Sequence, residues 1–188
     1  MLDRNPSRTA EATAAIRACH LRYDSPLVFA DPYAAQLTSP WWRAVANNPV
    51  FYWSIVRGLL GALRPVHGWI LVRDQLTVDD LRVFVANGGR QYVSLGAGFD
   101  SIALRRPEWL RGVRIVLTAA AIADTLGHIA ARAAPGSELV FDFLLPEFAV
   151  QRGRRRVWSL AGAMTTRMGE RYISYHAPEY EEGLFQLF

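Results

Sequence analysis

The sequence predicts an α/β fold with a parallel sheet, preceded by a helical N-terminal region. Short apolar strands alternate with helical segments in the second half of the chain, which is typical of parallel sheets because each strand needs a crossover to the next. The first strand also runs directly into a glycine-rich turn at residues 96–98. Strands are predicted at 91–95, 113–117 and 138–145.

Residues 1–87 are predicted to form the helical region, which would act as a cap or lid. Helices are expected at 7–20, 32–37 and 69–87, with a turn or linker at 24–32. Residues 41–63 are aromatic and apolar at helical spacing, and their tryptophans are predicted to lie in the core or a lid. Gly88 and Gly89 are predicted to end the last of these helices.

Residues 88–188 are predicted to form the sheet-containing part, and both parts are expected to fold as one compact domain. A short helix is expected at 101–110 and a longer one from Thr118 to Ala134. After Pro146 the chain becomes basic around Arg152–Arg156 and then helical to Met168. That basic run is typical of a solvated loop, and nucleic-acid binding is the disfavoured alternative because no aromatic platform accompanies it.

The charge pattern points to a bacterial, cytoplasmic protein. All 21 basic residues are arginine, which indicates a GC-rich genome rather than phosphate binding, and the net charge of +4 demands no anionic polymer as partner. The N-terminus lacks the apolar core of a signal peptide, and charges interrupt the apolar stretch 50–72. We therefore expect no membrane partner, although a surface-lying helix at 51–63 stays open.

The reactive residue types do not form a recognisable catalytic or metal-binding set. The lone Cys19 excludes an internal disulfide and is expected to be buried and inert. The four histidines are scattered without metal-ligand spacing, so no metal is expected. Asp142, inside the third predicted strand, is as consistent with a buried carboxylate as with a pocket residue. The catalytic residues are therefore left unknown.

The glycine-rich turn is the feature with the clearest chemistry. Glycines between a strand and a helix let the backbone approach a ligand, and the helix directs its positive N-terminus at it. A dinucleotide site needs a third glycine where this chain has Ser101, so Gly96-Ala97-Gly98-Phe99-Asp100 fits better the shorter turn that binds an amino acid attached to adenosine. An ordinary turn is the alternative.

Residues 90–101, RQYVSLGAGFDS, resemble the signature of the leucine carboxyl methyltransferase family, in its bacterial branch of S-adenosylmethionine-dependent enzymes. Flanking segments resemble the same family. They are SRTA with Arg17, FADPYA at 29–34, VRD at 72–74 with DDL at 79–81, 117–143, and GE at 169–170 with PE at 178–179. The resemblance implies a Rossmann-like class I methyltransferase fold with an N-terminal helical extension.

The resemblance also implies cofactor contacts. Arg73 would pair with the methionine carboxylate of S-adenosylmethionine, a bidentate contact that suits a guanidinium. Gly96, Ala97, Gly98 and Phe99 would line the cofactor, and Asp100 would help to hold it. Two alternatives stay open: Arg73 as a helix arginine paired with Asp74 or with the turn of Gln75, and Asp100 as a helix N-cap.

The family's ribose-binding acid is missing from this sequence. In the family the second strand ends in an acidic residue, whereas 113–118 reads VRIVLT. By resemblance the chain is shortened internally and at its C-terminus, so a sheet with fewer strands is expected. A small sheet leaves edges to cover, which predicts a homodimer or a marginally stable chain.

The sequence thus predicts an S-adenosylmethionine-dependent O-methyltransferase acting on a small-molecule carboxylate or hydroxyl. The alternative is a degenerate, catalytically inactive relative that serves as a binding or oligomerisation module. The missing acid is the feature that separates the two hypotheses.

Overall fold

A computed structural model of the chain describes residues 8–95, 99–118 and 150–167. Its helices are α1 (Arg8–Tyr23), α2 (Pro40–Asn47), α3 (Pro49–Phe51), α4 (Arg64–Ala86), α5 (Ile102–Arg105) and α6 (Arg155–Arg167). Its strands are β1 (Gln91–Leu95) and β2 (Arg114–Thr118). Tyr52–Leu59 is a π-helix, and 3-10 turns occupy Ala34–Leu37, Gly61–Leu63, Glu108–Leu110 and Arg152–Arg154.

Strands β1 and β2 pair in parallel, which confirms the predicted α/β class with a parallel sheet. Gln91 lies opposite Arg114 and Leu95 opposite Thr118, so the carboxyl ends of both strands meet at one edge. The segment between the strands contains α5 and the 3-10 turn Glu108–Leu110. The predicted helix 118–134 and the predicted strand 138–145 lie outside the described residues.

Helix α1 confirms the prediction for 7–20 and extends it to Tyr23. Alanine has the highest helix propensity, and Ala14, Ala15 and Ala18 form the buried face against α2 and the turn Ala34–Leu37. The Glu11 carboxylate near the start of α1 accepts a hydrogen bond from the Ser39 backbone N–H at 2.6 Å. The small alanine side chains thus allow α1 to approach α2 closely, and the Glu11 side chain joins α1 to the residue before α2.

Residues 41–63, which are aromatic and apolar at helical spacing, form several short helical elements rather than one helix. Helix α2 ends at Asn47 because a new helix, α3, begins directly after it. The Asn48 side chain caps α3 by accepting from the Val50 and Phe51 backbone N–H groups, and Pro49 occupies its first turn. The chain then widens into the π-helix. Within this region Trp42 packs on the core, but Trp41 and Trp53 are 58% and 59% exposed.

Two shorter helices also differ from expectation. Residues 32–37 contain only the 3-10 turn Ala34–Leu37. The helix expected at 101–110 is split, because Arg106 takes a left-handed conformation with φ of 32° and Pro107 cannot continue the helical hydrogen bonds.

Helix α4 confirms the helix expected at 69–87 and begins earlier, at Arg64. Its end is a Schellman motif: the Gly88 N–H donates to Val85 O at 3.0 Å and the Gly89 N–H to Phe84 O at 2.9 Å. Gly88 has φ of 99°, and a Cβ on Gly89 would overlap the Phe84 ring. The two predicted glycines therefore end α4 and direct the chain into β1.

Within the described ranges, buried apolar side chains pack into two clusters. The first cluster lies among α1, α2 and the π-helix and contains Ala18, Cys19, Ala34, Val45, Ala46, Tyr52 and Val56. The second cluster packs α4 against the segment between the strands and contains Leu81, Ile102 and Leu110, with Tyr92 and Ile115 beside them. The second cluster fixes α4 beside the strands.

Over the described ranges no single helix is long and apolar enough to cross a membrane, although the bent pair Pro49–Leu59 and Gly61–Ala86 would be by length and composition.

Candidate functional site

The predicted glycine loop leaves β1 at the edge of the sheet where both strands end. Gly96, Ala97 and Gly98 lie outside the described residues. Phe99 and Asp100 are described and partly buried, directly before α5. The structure therefore describes Phe99 and Asp100, the two residues that follow the glycine turn, but not the turn itself.

Asp100 organises the chain that leaves the glycine loop. Its Oδ1 accepts a hydrogen bond from the Ile102 backbone N–H at 2.8 Å. Ser101 is the N-cap residue of α5, so Asp100, one residue earlier, satisfies a backbone donor in the first turn of that helix. Burial raises the pKa of Asp100 above its ordinary value, against the opposing effects of the Ile102 N–H and of Arg105 and Arg17. The capping alternative is thus realised in part.

Arg73 lies on α4 and pairs with its neighbour Asp74. Its Nη2 is 3.0 Å and its Nε 3.2 Å from Asp74 Oδ1, and its guanidinium lies 5.0 Å from the centre of the Trp69 ring. This is the pairing that sequence reasoning offered as the alternative to cofactor binding. The side chain is about one-third exposed, so it is also accessible from solvent.

Arg17 is a buried charge centre that joins Phe99 to two other segments. From α1 its Nε donates to Asp31 Oδ2 at 2.9 Å, its Nη1 to Asp74 Oδ2 at 3.3 Å and its Nη2 to the Phe99 carbonyl at 2.6 Å. Arg17 is 5% exposed and Asp31 1%. A buried guanidinium is tolerated only with such partners, because desolvation of an unpaired ion costs several kcal/mol.

Asp74 brings the predicted residues together. One of its oxygens binds Arg17, and the other binds Arg73. A continuous chain of polar contacts therefore runs from the Phe99 carbonyl through Arg17 and Asp74 to Arg73. The sequence assigns no site role to Arg17, and Asp74 enters it only as the alternative partner of Arg73. The signals for Arg17 are its place in a segment that resembles the family and its charge within the alanine-rich face of α1.

At the edge of the sheet where both strands end, β2 carries no carboxylate. Thr118 occupies the last position of that strand, paired with Leu95 at the end of β1. The strand sequence RIVLT contains no acidic residue. A ribose contact of the kind the family resemblance implies would have to come from elsewhere in the chain.

A second polar network lies in the helical region, away from the loop. Asp24 Oδ1 accepts from Tyr52 Oη at 2.5 Å and from Arg57 Nη2 at 2.6 Å, and Oδ2 lies 3.0 Å from His20 Nδ1. His20 Nε2 accepts from the Val28 backbone N–H at 2.9 Å, so the ring proton lies on Nδ1 and points at Asp24. Both ring nitrogens are occupied by fold contacts, which makes this histidine structural.

Cys19 confirms the expectation of a buried thiol. It is 2% exposed, and burial, with the nearby Asp24 charge, raises its pKa to about 12. The thiolate is therefore scarce at neutral pH, so Cys19 is not a nucleophile. In the basic run, Arg152, Arg154 and Arg156 are exposed; Arg152–Arg154 is a 3-10 turn and Arg155 begins α6, so the run is not a loop.

Comparison of the sequence with protein-family models identifies the family of the chain. The model of the family described as leucine carboxyl methyltransferase matches residues 10–116, more than half of the 188-residue chain. The chain belongs to this family. The match runs from α1 to β2 and so includes Arg17, Arg73 and the segment Phe99–Asp100. No curated protein and no solved structure gives a significant match to the sequence.

Proposed function

We propose that the chain is an S-adenosylmethionine-dependent O-methyltransferase of the bacterial cytoplasm, acting on a small-molecule carboxylate or hydroxyl. The observation on which this rests is the family match across the elements that surround the glycine loop. Members of the family are S-adenosylmethionine-dependent methyltransferases. The proposed fold is the Rossmann-like one, with residues 1–87 as a helical cap.

The described residues fit the amino-acid end of that cofactor. Arg73 supplies a partly exposed guanidinium, the donor set that suits a carboxylate. The proposed contacts of Gly96, Ala97, Gly98, Phe99 and Asp100 would hold the rest of the methionine moiety. When bound, the cofactor supplies an activated methyl group on a sulfonium.

The residues of the chain would then act mainly by binding and orientation. Methyl transfer from a sulfonium depends on in-line placement of the acceptor, and a carboxylate acceptor needs no base because it has no proton to lose. A hydroxyl acceptor would have to give its proton to a base or to water, and we assign no residue as that base. Asp74 holds the Arg73 guanidinium in place, and a bound cofactor carboxylate would share that guanidinium with Asp74 or displace Asp74 from it.

Calorimetric titration with S-adenosylmethionine tests the proposal. We expect binding in the micromolar range, and Arg73→Ala is expected to weaken it about ten- to a hundredfold, since a charge-assisted hydrogen-bond pair is lost. Arg82→Ala on the same helix is the matched control, because Arg82 lies over Trp109 and contacts neither Asp74 nor Phe99. No binding at millimolar cofactor would refute the proposal.

The absence of a carboxylate from β2 favours one alternative, a catalytically inactive relative that serves as a binding or oligomerisation module. This alternative predicts no methyl transfer to any acceptor. It also gives weight to the expected homodimer, which light scattering during size-exclusion chromatography would detect; a monomer that melts cooperatively would count against the oligomerisation role.

A further inference from the structure

The Arg17 guanidinium is buried, unlike that of an arginine in a surface ion pair. It is 5% exposed on the alanine-rich face of α1, and its three nitrogens donate to three acceptors. Asp31 alone would neutralise its charge. The additional contacts therefore determine where the guanidinium plane points, because the planar fork of arginine holds several acceptors in fixed directions.

The acceptor at 2.6 Å is the backbone carbonyl of Phe99, the residue that follows the glycine loop. The next residue, Asp100, is tied to Ile102 by its side chain. Ser101 is 1% exposed, and its Oγ accepts from Arg105 Nε at 3.0 Å. Residues 99–101 are thus held by hydrogen bonds to α5 and by the hydrogen bond from Arg17, which is distant in the sequence.

The second link runs through Asp74, whose two oxygens are divided between Arg17 and Arg73. The position of Arg17 therefore sets the position of the carboxylate that orients Arg73. We propose that Arg17 is a positioning residue of the cofactor site, which through Phe99 holds the end of the glycine loop and through Asp74 orients Arg73. The effect of Arg17 on cofactor binding rests on the proposed function, whereas its effect on residues 99–102 does not.

Arg17→Lys is the variant that tests this inference. Lysine keeps the charge and can pair with Asp31, but its single ammonium cannot span the three acceptors in the directions that the guanidinium does. Arg22→Lys, also on α1, is the matched control, because Arg22 is exposed and donates to Asn47 instead.

Hydrogen exchange of the cofactor-free protein is the first readout. In Arg17→Lys we expect faster amide exchange confined to the segment around 99–102, with α1 and α4 protected as in the wild type. Uniformly faster exchange across α1, α4 and 99–102 would show a purely structural role and overturn the inference, as would unchanged exchange at 99–102.

Cofactor affinity is the second readout. We expect Arg17→Lys to raise the dissociation constant for S-adenosylmethionine about tenfold or more, with Arg22→Lys unchanged. If the wild type itself binds no cofactor, the proposed function fails, and the exchange result alone decides whether Arg17 holds 99–102. If the wild type binds and Arg17→Lys binds equally well, the proposed function stands and the inference is wrong.

Asp74→Asn is the second variant, should Arg17→Lys fail to fold. It leaves the Arg17–Asp31 ion pair intact but replaces one acceptor oxygen with a donor nitrogen, so the side chain can accept from only one of the two arginines. We expect a folded protein with weaker cofactor binding. A folded Asp74→Asn protein with wild-type affinity would disprove the link between Arg17 and Arg73.

Discussion

Asp24 shows how a single residue connects the helical region. Burial raises its pKa, but the hydrogen bonds from Tyr52 and His20 and the charge of Arg57 outweigh that effect, so its pKa lies below the ordinary value. Ionised Asp24 thus stabilises the fold at pH values above about 3.9, the carboxyl pKa of the unfolded chain, and this stabilisation is lost as the pH falls through the lower folded pKa.

Asp24→Asn should therefore have a pH-dependent effect on stability. We expect it to lower the free energy of unfolding at pH 7 by about 1.5–3 kcal/mol, since charge-assisted hydrogen bonds are lost, and by less at pH 3. Urea denaturation at both pH values measures this. Asp80→Asn is the control, because Asp80 is exposed on α4. An Asp24→Asn effect of equal size at both pH values would contradict the assignment.

The residues of the candidate site show what sequence could and could not predict. The family motif singled out Arg73 and Asp100 as cofactor ligands, and the bonds that both make to near neighbours were weighed as alternatives. Arg17 was not assigned a role, because its contacts with Asp74 and Phe99 join parts of the chain that only the fold brings together. Local patterns contain no information on such pairings.

Among the elements, prediction succeeded where a strong periodic pattern met a clear end signal. Helix α4 and strands β1 and β2 fall close to where the sequence placed them. Over 41–63 the sequence predicts no element bounds, because an apolar pattern at helical spacing cannot distinguish one helix from several. The local caps at Asn48 and Pro49 decide there, followed by the widening of the π-helix.

Two glycines, one inside α4 and one just after it, should respond in opposite ways to replacement by alanine. Gly88 has φ of 99°, so Gly88→Ala is expected to destabilise the fold by about 1 kcal/mol or more, since a Cβ disfavours the left-handed region. Gly68 lies inside the same helix with open space around it, so Gly68→Ala should stabilise the fold by about 0.5–1 kcal/mol. Thermal unfolding of both variants measures the opposite signs; two shifts of the same sign would exclude this account of Gly88.

The whole molecule raises the question of how its two apolar clusters are coupled. The first cluster belongs to the helical region, whereas the second joins α4 to the segment between the strands. The buried Arg17 binds Asp31 beside the first cluster, Asp74 on α4 and Phe99 beside the strands. Helix α4 and this ion network therefore connect the part predicted as a cap with the part predicted to bind cofactor.

If the chain is one cooperative domain, damage to either cluster must shift the same unfolding transition. Leu81→Ala in the second cluster should cost about 2–5 kcal/mol, and Val45→Ala in the first about 2 kcal/mol, because both side chains are buried and each change removes apolar contacts and leaves a cavity. Leu59→Ala is the control, since Leu59 is 81% exposed and its loss should change little. Denaturation followed by tryptophan fluorescence and by far-UV circular dichroism should give coincident curves for each variant. Two transitions, with Val45→Ala moving one and Leu81→Ala the other, would mean that the helical region folds independently and that Arg17 bridges two domains rather than stabilising one.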